Sequence, residues 1–152
     1  MPLKTSPKTM TNTSGANLVI ADSDALIGLV NKVDALHNRC ARIYNYLLEN
    51  KFTIFTPYPI ILEASTALAK VVNRPDLAAK LLNDYKEVQN GIDTNVADLV
   101  AKLYNYKTSK KNTPFDHYVL ALAIKNNVRV VFSFDSFYKK HGLILAEKFL
   151  KN

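Results

Sequence analysis

The chain has 152 residues, of which 48% are hydrophobic and 22% charged, a composition that is typical of a globular domain and excludes disorder over its whole length. No segment has the roughly 18–20 uncharged apolar residues of a membrane-spanning helix, and a single cysteine, Cys40, excludes an intramolecular disulfide and a cysteine-rich zinc site. Lys and Arg number 20 against 13 Asp and Glu, and the resulting net charge of +7 makes a polyanion such as nucleic acid a reasonable partner.

Residues 1–16 are rich in Ser, Thr, Lys and Pro and have no apolar period, so we expect a flexible tail. They also lack the apolar segment of a secretory signal. Together with the single cysteine, this favours a reducing, cytoplasmic location. Neither an internal repeat nor a linker follows, and we therefore predict one domain over residues 17–152.

Strands alternate with helices in the pattern predicted for this domain. In its first half we predict a strand over Leu18–Ala21, a helix after Asp22, a helix from Asp34 as N-cap, a strand over Phe52–Thr56, and helices over Pro59–Val72 and Pro75–Gln89. In its second half we predict a short strand over Gly91–Asp93, helices over Asn95–Tyr106 and Thr113–Asn127, and strands over Val128–Ser133 and Leu143–Leu145. This alternation indicates an α/β domain with a mainly parallel sheet, whose active site would lie beyond the carboxyl ends of the strands.

Acidic residues follow two of the predicted strands. Asp22 comes directly after Leu18–Ala21, and Asp135 comes two residues after the strand that ends at Ser133. If these strands are parallel neighbours, both carboxylates emerge at the same edge of the sheet. Asp116 shares a helix face with apolar residues, where a carboxylate is costly unless it is paired, hydrogen-bonded or bound to a cation.

Each of these acids also has a local structural interpretation. The helix dipole would favour Asp22 and Asp24 at the start of a helix. Thr113-x-x-Asp116 resembles a capping box, with Asp in place of the usual Glu. Asp135 could cap a short helix. Four or five acids that converge on one sheet edge in a basic chain favour a functional interpretation over these separate local ones.

Converging carboxylates would require a cation. Glu63 belongs to a narrow polar stripe with Thr66 and Lys70, which faces either solvent or a cleft. Clustered carboxylates repel one another and stay ionised together only when cations neutralise them. Their hard oxygen ligands suit Mg²⁺ or Mn²⁺, which can activate a water molecule against a phosphodiester. In a basic chain, this chemistry predicts a metal-dependent nuclease.

Four acid-containing segments resemble, in order, the motifs of the PIN-domain nucleases. They are Val19–Ile27 around Asp22, Ile60–Ala64 around Glu63, Pro114–Ala123 around Asp116, and Val130–Phe137 around Asp135. The resemblance covers about residues 17–150. It implies a PIN-like three-layer sandwich with a mainly parallel central sheet flanked by helices.

Small single-domain members of this kind resemble the VapC-type toxins of toxin–antitoxin pairs. The resemblance implies an Mg²⁺- or Mn²⁺-dependent endoribonuclease in which a metal-activated water attacks the RNA phosphodiester without a covalent enzyme intermediate. It also implies an antitoxin protein as partner and a homodimer. The lack of a long apolar segment separately predicts no membrane association.

The resemblance assigns roles to individual residues. The implied catalytic and metal-binding residues are Asp22 and Asp116 as principal ligands, with Glu63 and Asp135 completing the site, partly through water. Ser23 and Ser133 would hydrogen-bond and orient these carboxylates. Asp24 stands where the family usually has Ser, Asn or Thr, and as a supporting residue it would either strengthen metal binding or point to solvent. The tail is a second departure from the compact toxins.

Basic residues near the acids are candidates for RNA binding: Lys107, Lys110, Lys111, Lys139 and Lys140. The first three lie in a segment with no acid between Asp98 and Asp116, which also contains Tyr104 and Tyr106. Such a mixture can hold phosphates and stack bases. The alternative is a solvated basic loop beside tyrosines of the core.

Two other functions remain open from the sequence. The first is a PIN-fold module that binds RNA or protein without cleaving it, although the presence of all four acids argues against this. The second is a haloacid-dehalogenase-like phosphohydrolase, because Asp22-Ser23-Asp24 after a strand resembles the start of that family's motif. In that enzyme class Asp22 would become phosphorylated.

Overall fold

The computed structural model describes residues 17–87, 89, 91–105, 107 and 110–150, so the tail predicted over residues 1–16 lies outside the described residues. The elements, in chain order, are β1 (Leu18–Ala21), α1 (Ser23–Val30), α2 (His37–Glu49), β2 (Thr53–Phe55), α3 (Tyr58–Lys70), α4 (Pro75–Asp84), α5 (Ala97–Leu103), α6 (Pro114–Lys125), β3 (Val130–Phe132), α7 (Ser136–Lys140), β4 (Ile144–Leu145) and a 3₁₀ helix (Ala146–Leu150). In the part of the chain that the structure describes, no helix is both long and apolar enough to cross a membrane.

The four strands form one parallel sheet in the order β2-β1-β3-β4. Ile20 of β1 is aligned with Phe55 of β2 and with Val131 of β3. Because all four strands run in the same direction, their carboxyl ends meet at one edge of the sheet, which we call the carboxyl edge. The predicted α/β fold with a parallel sheet is confirmed.

Helices cover both faces of the sheet. Neighbouring residues of a strand point to opposite faces, yet Val19 and Ile20 of the central strand are both fully buried. A strand that is apolar throughout is typical of a parallel sheet covered on both sides. The flanked, three-layer arrangement predicted from the sequence is therefore present.

Two local predictions are wrong. No strand forms over residues 91–93, because Gly91 has a φ of 109° and the backbone of Asp93 bonds a side chain instead. The Asp93 N–H donates to Asn126 Oδ1 (2.7 Å), and its carbonyl accepts from Asn126 Nδ2 (2.9 Å). Asp34 does not cap α2, which begins three residues later. Its carboxylate accepts from the Leu36 N–H (2.8 Å) and closes a turn ahead of the helix.

Helices α1 and α2 approach each other closely at Gly28, where a Cβ atom would lie only 2.5 Å from the sulfur of Cys40. Because Cys40 is fully buried, its sulfur has little room to move. We expect Gly28→Ala to lower the free energy of unfolding by about 1–3 kcal/mol through overpacking, despite the better helix propensity of alanine.

Urea denaturation measures this effect, and Cys40→Ala provides the matched background. Gly28→Ala should cost clearly less in the Cys40→Ala protein, because the atom that it contacts has been removed. Equal effects of Gly28→Ala in both backgrounds would contradict the contact.

Candidate active site

Asp22 lies at the carboxyl edge of the sheet, immediately after β1, and its side chain is only 4% exposed. One carboxylate oxygen accepts from the Ser23 N–H (2.8 Å). The other accepts from the hydroxyl of Tyr138 (2.7 Å) and lies 3.3 Å from the hydroxyl of Ser133. Asp22 is therefore both the N-cap of α1 and a buried, tightly held carboxylate.

Asp24 points toward the same edge and not into solvent. Its Oδ2 accepts from the Phe134 N–H (2.7 Å) and the Ser133 hydroxyl (3.0 Å). A hydroxyl carries a single proton, so Ser133 can donate to Asp22 or to Asp24 but not to both at once. The carboxylates of Asp22 and Asp24 are thus held close together, and the Ser133 hydroxyl can donate a hydrogen bond to only one of them at a time.

Asp135 follows β3, the strand next to β1, and reaches the site through Ser133. Its N–H donates to the Ser133 Oγ (3.1 Å), while its own Oδ1 accepts from the Phe137 N–H (2.8 Å) and caps α7. The predicted cap is confirmed. It fixes the carboxylate at the carboxyl edge of the sheet.

Asp116 forms the capping box that its sequence resembles. Its Oδ2 accepts from the Thr113 N–H (2.7 Å) at the start of α6. The side chain is half-buried, and Asp135 is one of the charges that act on it. Asp116 can therefore cap α6 and still lie beside the other acids.

Glu63 faces the cleft rather than solvent. Its carboxylate accepts a hydrogen bond from the Ser23 side chain, and the charges of Asp116 and Asp24 act on it. Its Oε2 is buried and has no hydrogen-bond partner among the described residues. An unsatisfied buried acceptor is costly, so this oxygen is available to a ligand.

Burial and mutual repulsion raise the pKa of four carboxyl groups in this cluster. Burial first, and then the charges of Asp24 and Glu63, raise the pKa of Asp22 from 3.8 to about 8, against the hydrogen bonds from Tyr138 and Ser23. Burial, and after it the charges of neighbouring acids, also raises the pKa values of the other three: Asp24, Glu63 and Asp116. The charges of Asp24, Glu63, Asp116 and Asp135 each raise the pKa of another acid in this group.

Four ion pairs of the described residues lie outside this cluster, whereas the charge of His117 lowers the pKa of Asp116. These ion pairs involve other acids, namely Asp76, Asp84, Asp93 and Glu147. The five acids that converge at the carboxyl edge, which we call the carboxylate cluster, are Asp22, Asp24, Glu63, Asp116 and Asp135. Their net repulsion and the unsatisfied oxygen of Glu63 are the properties expected of a site that binds a cation.

The donors of the carboxylate cluster fit a hydrated divalent cation. All are hard oxygens, the ligands that Mg²⁺ and Mn²⁺ prefer. Among the residues described, no three His, Cys, Asp or Glu side chains are grouped closely enough to enclose an ion. Mg²⁺ usually keeps several of its waters and is held by only one or two carboxylates, so an enclosing set of three is not required.

The five lysines predicted to bind RNA are all exposed, and they lie in two segments of the chain. Lys139 and Lys140 form the last turn of α7, the short helix that Asp135 begins. The other three precede α6: Lys107, Lys110 and Lys111. Tyr104 packs edge-on against His117, with 5.1 Å between ring centroids, and is 40% exposed. Tyr106 lies outside the described residues.

Tyr138 is the site residue that the sequence did not reveal. It is fully buried, and its hydroxyl is the 2.7 Å donor to Asp22. Its only signal in the sequence is its position three residues after Asp135, one turn along a helix that starts at the site. Burial and the charge of Asp22 raise the pKa of its hydroxyl, so Tyr138 remains a proton donor.

Comparisons with known proteins agree with this fold. A family model described as PIN domain matches residues 19–142. Among solved structures, the chain is similar to VapC20 of Mycobacterium tuberculosis, which is described as a toxin that cleaves the sarcin–ricin loop. The two share 15% sequence identity with a TM-score of 0.68, over 83% of this chain and 96% of that one. No curated protein matches the sequence significantly.

Proposed function

Because the chain belongs to the PIN domain family, we propose that it is a metal-dependent endoribonuclease that hydrolyses RNA phosphodiesters. The observation that carries this proposal is the carboxylate cluster at the carboxyl edge, in which Asp22 is buried and Oε2 of Glu63 has no hydrogen-bond partner among the described residues. Such a cluster in a basic chain suits a cation that also binds phosphate.

Asp22 and Asp116 are the principal metal ligands of this proposal, and Glu63 and Asp135 complete the site, partly through water. The ion is Mg²⁺ or Mn²⁺. When bound, it would supply a nucleophilic water and stabilise the leaving oxygen of the phosphodiester.

The remaining side chains hold the acids in position. Tyr138 fixes one oxygen of Asp22, and Ser23 orients Glu63. Asp24 bonds the backbone of Phe134 and thereby holds the turn that carries Asp135. Glu63 Oε2 has no partner of its own, so it can accept a proton from water near the scissile phosphate.

The proposed biological role is that of a toxin in a toxin–antitoxin pair. The fold of a protein described as an RNA-cleaving toxin supports this role. The proposal includes an antitoxin protein as partner, a homodimer and a cytoplasmic location, where the RNA substrate is found. Induced expression should arrest growth, and Asp116→Asn should relieve that arrest.

Incubation of the purified protein with a mixed RNA pool tests the proposed activity. We expect cleavage with Mg²⁺ or Mn²⁺ and none with EDTA. The products should lack 2′,3′-cyclic phosphates, because water and not the neighbouring ribose hydroxyl attacks the phosphorus. Product ends can be identified by mass spectrometry.

Glu49→Gln, purified in parallel, controls for a contaminating nuclease. Glu49 is exposed and ends α2 just before β2 begins, at the opposite edge of the sheet from the site. RNA binding without cleavage would instead indicate an inactive binding module. A phosphorylated Asp22 would indicate the haloacid-dehalogenase-like alternative.

A further inference from the structure

Arg39 lies beside the carboxylate cluster, although it belongs to a different layer of the fold. It is the third residue of α2, a helix that ends at Glu49 just before β2 begins. Helix α2 therefore runs opposite to the strands, and its first turn lies at the carboxyl edge. The Arg39 guanidinium lies 4.8 Å from the ring centroid of Phe134, the residue before Asp135.

Phe134 contacts both this arginine and the carboxylate cluster. Its N–H donates to Asp24 (2.7 Å), and the Arg39 guanidinium lies over its ring. Arg39 pairs with Glu147 of the 3₁₀ helix, and about half of the arginine side chain remains exposed. A stacked, half-exposed guanidinium next to an acidic site is well suited to a phosphate, which it can contact through two parallel hydrogen bonds.

Glu147 also lines a groove along β4, the edge strand of the sheet. The groove has a volume of about 340 Å³, at the lower end of the ~300–1,000 Å³ typical of ligand sites. Its walls combine two lysines, one acid and an apolar strip: Lys139, Lys148, Glu147, Leu143, Ile144 and Leu145. Arg39 pairs with the single acid of this groove, two lysines line the same groove, and the apolar strip can take the face of a base.

We propose that Arg39, stacked on Phe134, and the adjoining groove form a subsite for the RNA nucleotide next to the scissile phosphate, where Glu147 competes with RNA for Arg39. This inference rests on the proposed function, because it assumes an RNA strand at the carboxylate cluster. The Arg39 side chain is 52% exposed and that of Glu147 22% exposed, so solvent screens the ion pair from the arginine side and weakens it, and a phosphate can compete with Glu147 for Arg39. Glu147 thereby weakens RNA binding in the free protein.

Fluorescence anisotropy with a labelled, mixed-sequence single-stranded RNA tests the subsite, in EDTA so that no cleavage occurs. We expect Arg39→Gln to weaken binding about tenfold, as for a charged hydrogen bond, and to lower the slope of log affinity against log salt by about 0.7. Glu147→Gln should instead tighten binding by several-fold, because it releases Arg39.

Two variants match these changes of charge at the opposite edge of the sheet. Lys51→Gln removes one positive charge and Glu49→Gln one negative charge, both just before β2. If Arg39→Gln behaves like Lys51→Gln and Glu147→Gln like Glu49→Gln, the subsite is overturned, and the ion pair only fastens the 3₁₀ helix to α2.

The experiments distinguish failure of the proposed nuclease function from failure of the Arg39 subsite. A wild-type protein that binds no RNA in EDTA also overturns the subsite. Cleavage of the same RNA in Mg²⁺ then shows whether the nuclease activity stands without it. Opposite shifts in affinity for Arg39→Gln and Glu147→Gln, beyond those of their matched variants, support the subsite even if cleavage is never detected.

Discussion

Asp22→Asn is expected to reduce metal-dependent RNA cleavage by about a thousandfold or more, since loss of a metal ligand removes several kcal/mol of transition-state stabilisation. The same change should raise the melting temperature of the metal-free protein. Asp22 is only 4% exposed and is repelled by Asp24 and Glu63. Asparagine keeps an oxygen that can accept from Tyr138, but it carries no charge.

The opposite signs of these two effects distinguish a functional acid from a structural one. A purely structural Asp22 would lower stability and activity together when it is replaced. Cleavage rates and thermal melts should therefore be measured on the same preparations, with Glu49→Gln as the control, which should match the wild type in both. An active Asp22→Asn protein would refute the role proposed for this residue.

The stability of the metal-free protein should fall as the pH rises from about 5 to about 8. Burial and repulsion raise the pKa of Asp22 from 3.8 to about 8 in the folded state, so between these values the folded protein binds more protons than the unfolded chain. Stability then decreases with increasing pH. Over its full range, this rise in the pKa of Asp22 lowers the free energy of unfolding by at most about 6 kcal/mol. That is a large part of the ~5–15 kcal/mol by which a folded protein is typically stable.

Thermal melts in EDTA at several pH values measure this dependence, with an expected fall of about 5–15 °C. The raised pKa values of Asp24, Glu63 and Asp116 act in the same direction. Asp22→Asn should therefore flatten the dependence without abolishing it. Mn²⁺ should stabilise the wild type more at pH 8 than at pH 5, because binding requires ionised carboxylates. Stability that rises with pH in EDTA would contradict the account.

Strand positions and the edge at which the acids meet could be predicted from the sequence because both depend on local pattern. Apolar runs such as Leu18–Ala21 can be buried only inside a sheet that is covered on both faces. Parallel strands then bring Asp22 and Asp135 to the same edge. Both inferences require only the apolar pattern of each strand and the parallel direction of neighbouring strands.

Side-chain direction and tertiary partners could not be predicted in the same way. Asp24 has the helical position of a solvent-facing residue, yet it turns toward Ser133 and Phe134, a contact across about 110 residues. The expected strand at residues 91–93 is absent because the side chain of Asn126 bonds the Asp93 backbone in place of a neighbouring strand. Tyr138 lies between Phe137 and two lysines in the sequence, and only the packing of α7 brings its hydroxyl to Asp22.

Binding of a divalent cation by the carboxylate cluster can be measured by a Mn²⁺ titration followed by electron paramagnetic resonance. We expect the wild type and Glu49→Gln to bind Mn²⁺ alike, Asp22→Asn and Asp116→Asn to lose this binding, and Mg²⁺ to compete for it. Mn²⁺ binding that is absent from the wild type, or unchanged in both site variants, would contradict cation binding by the carboxylate cluster.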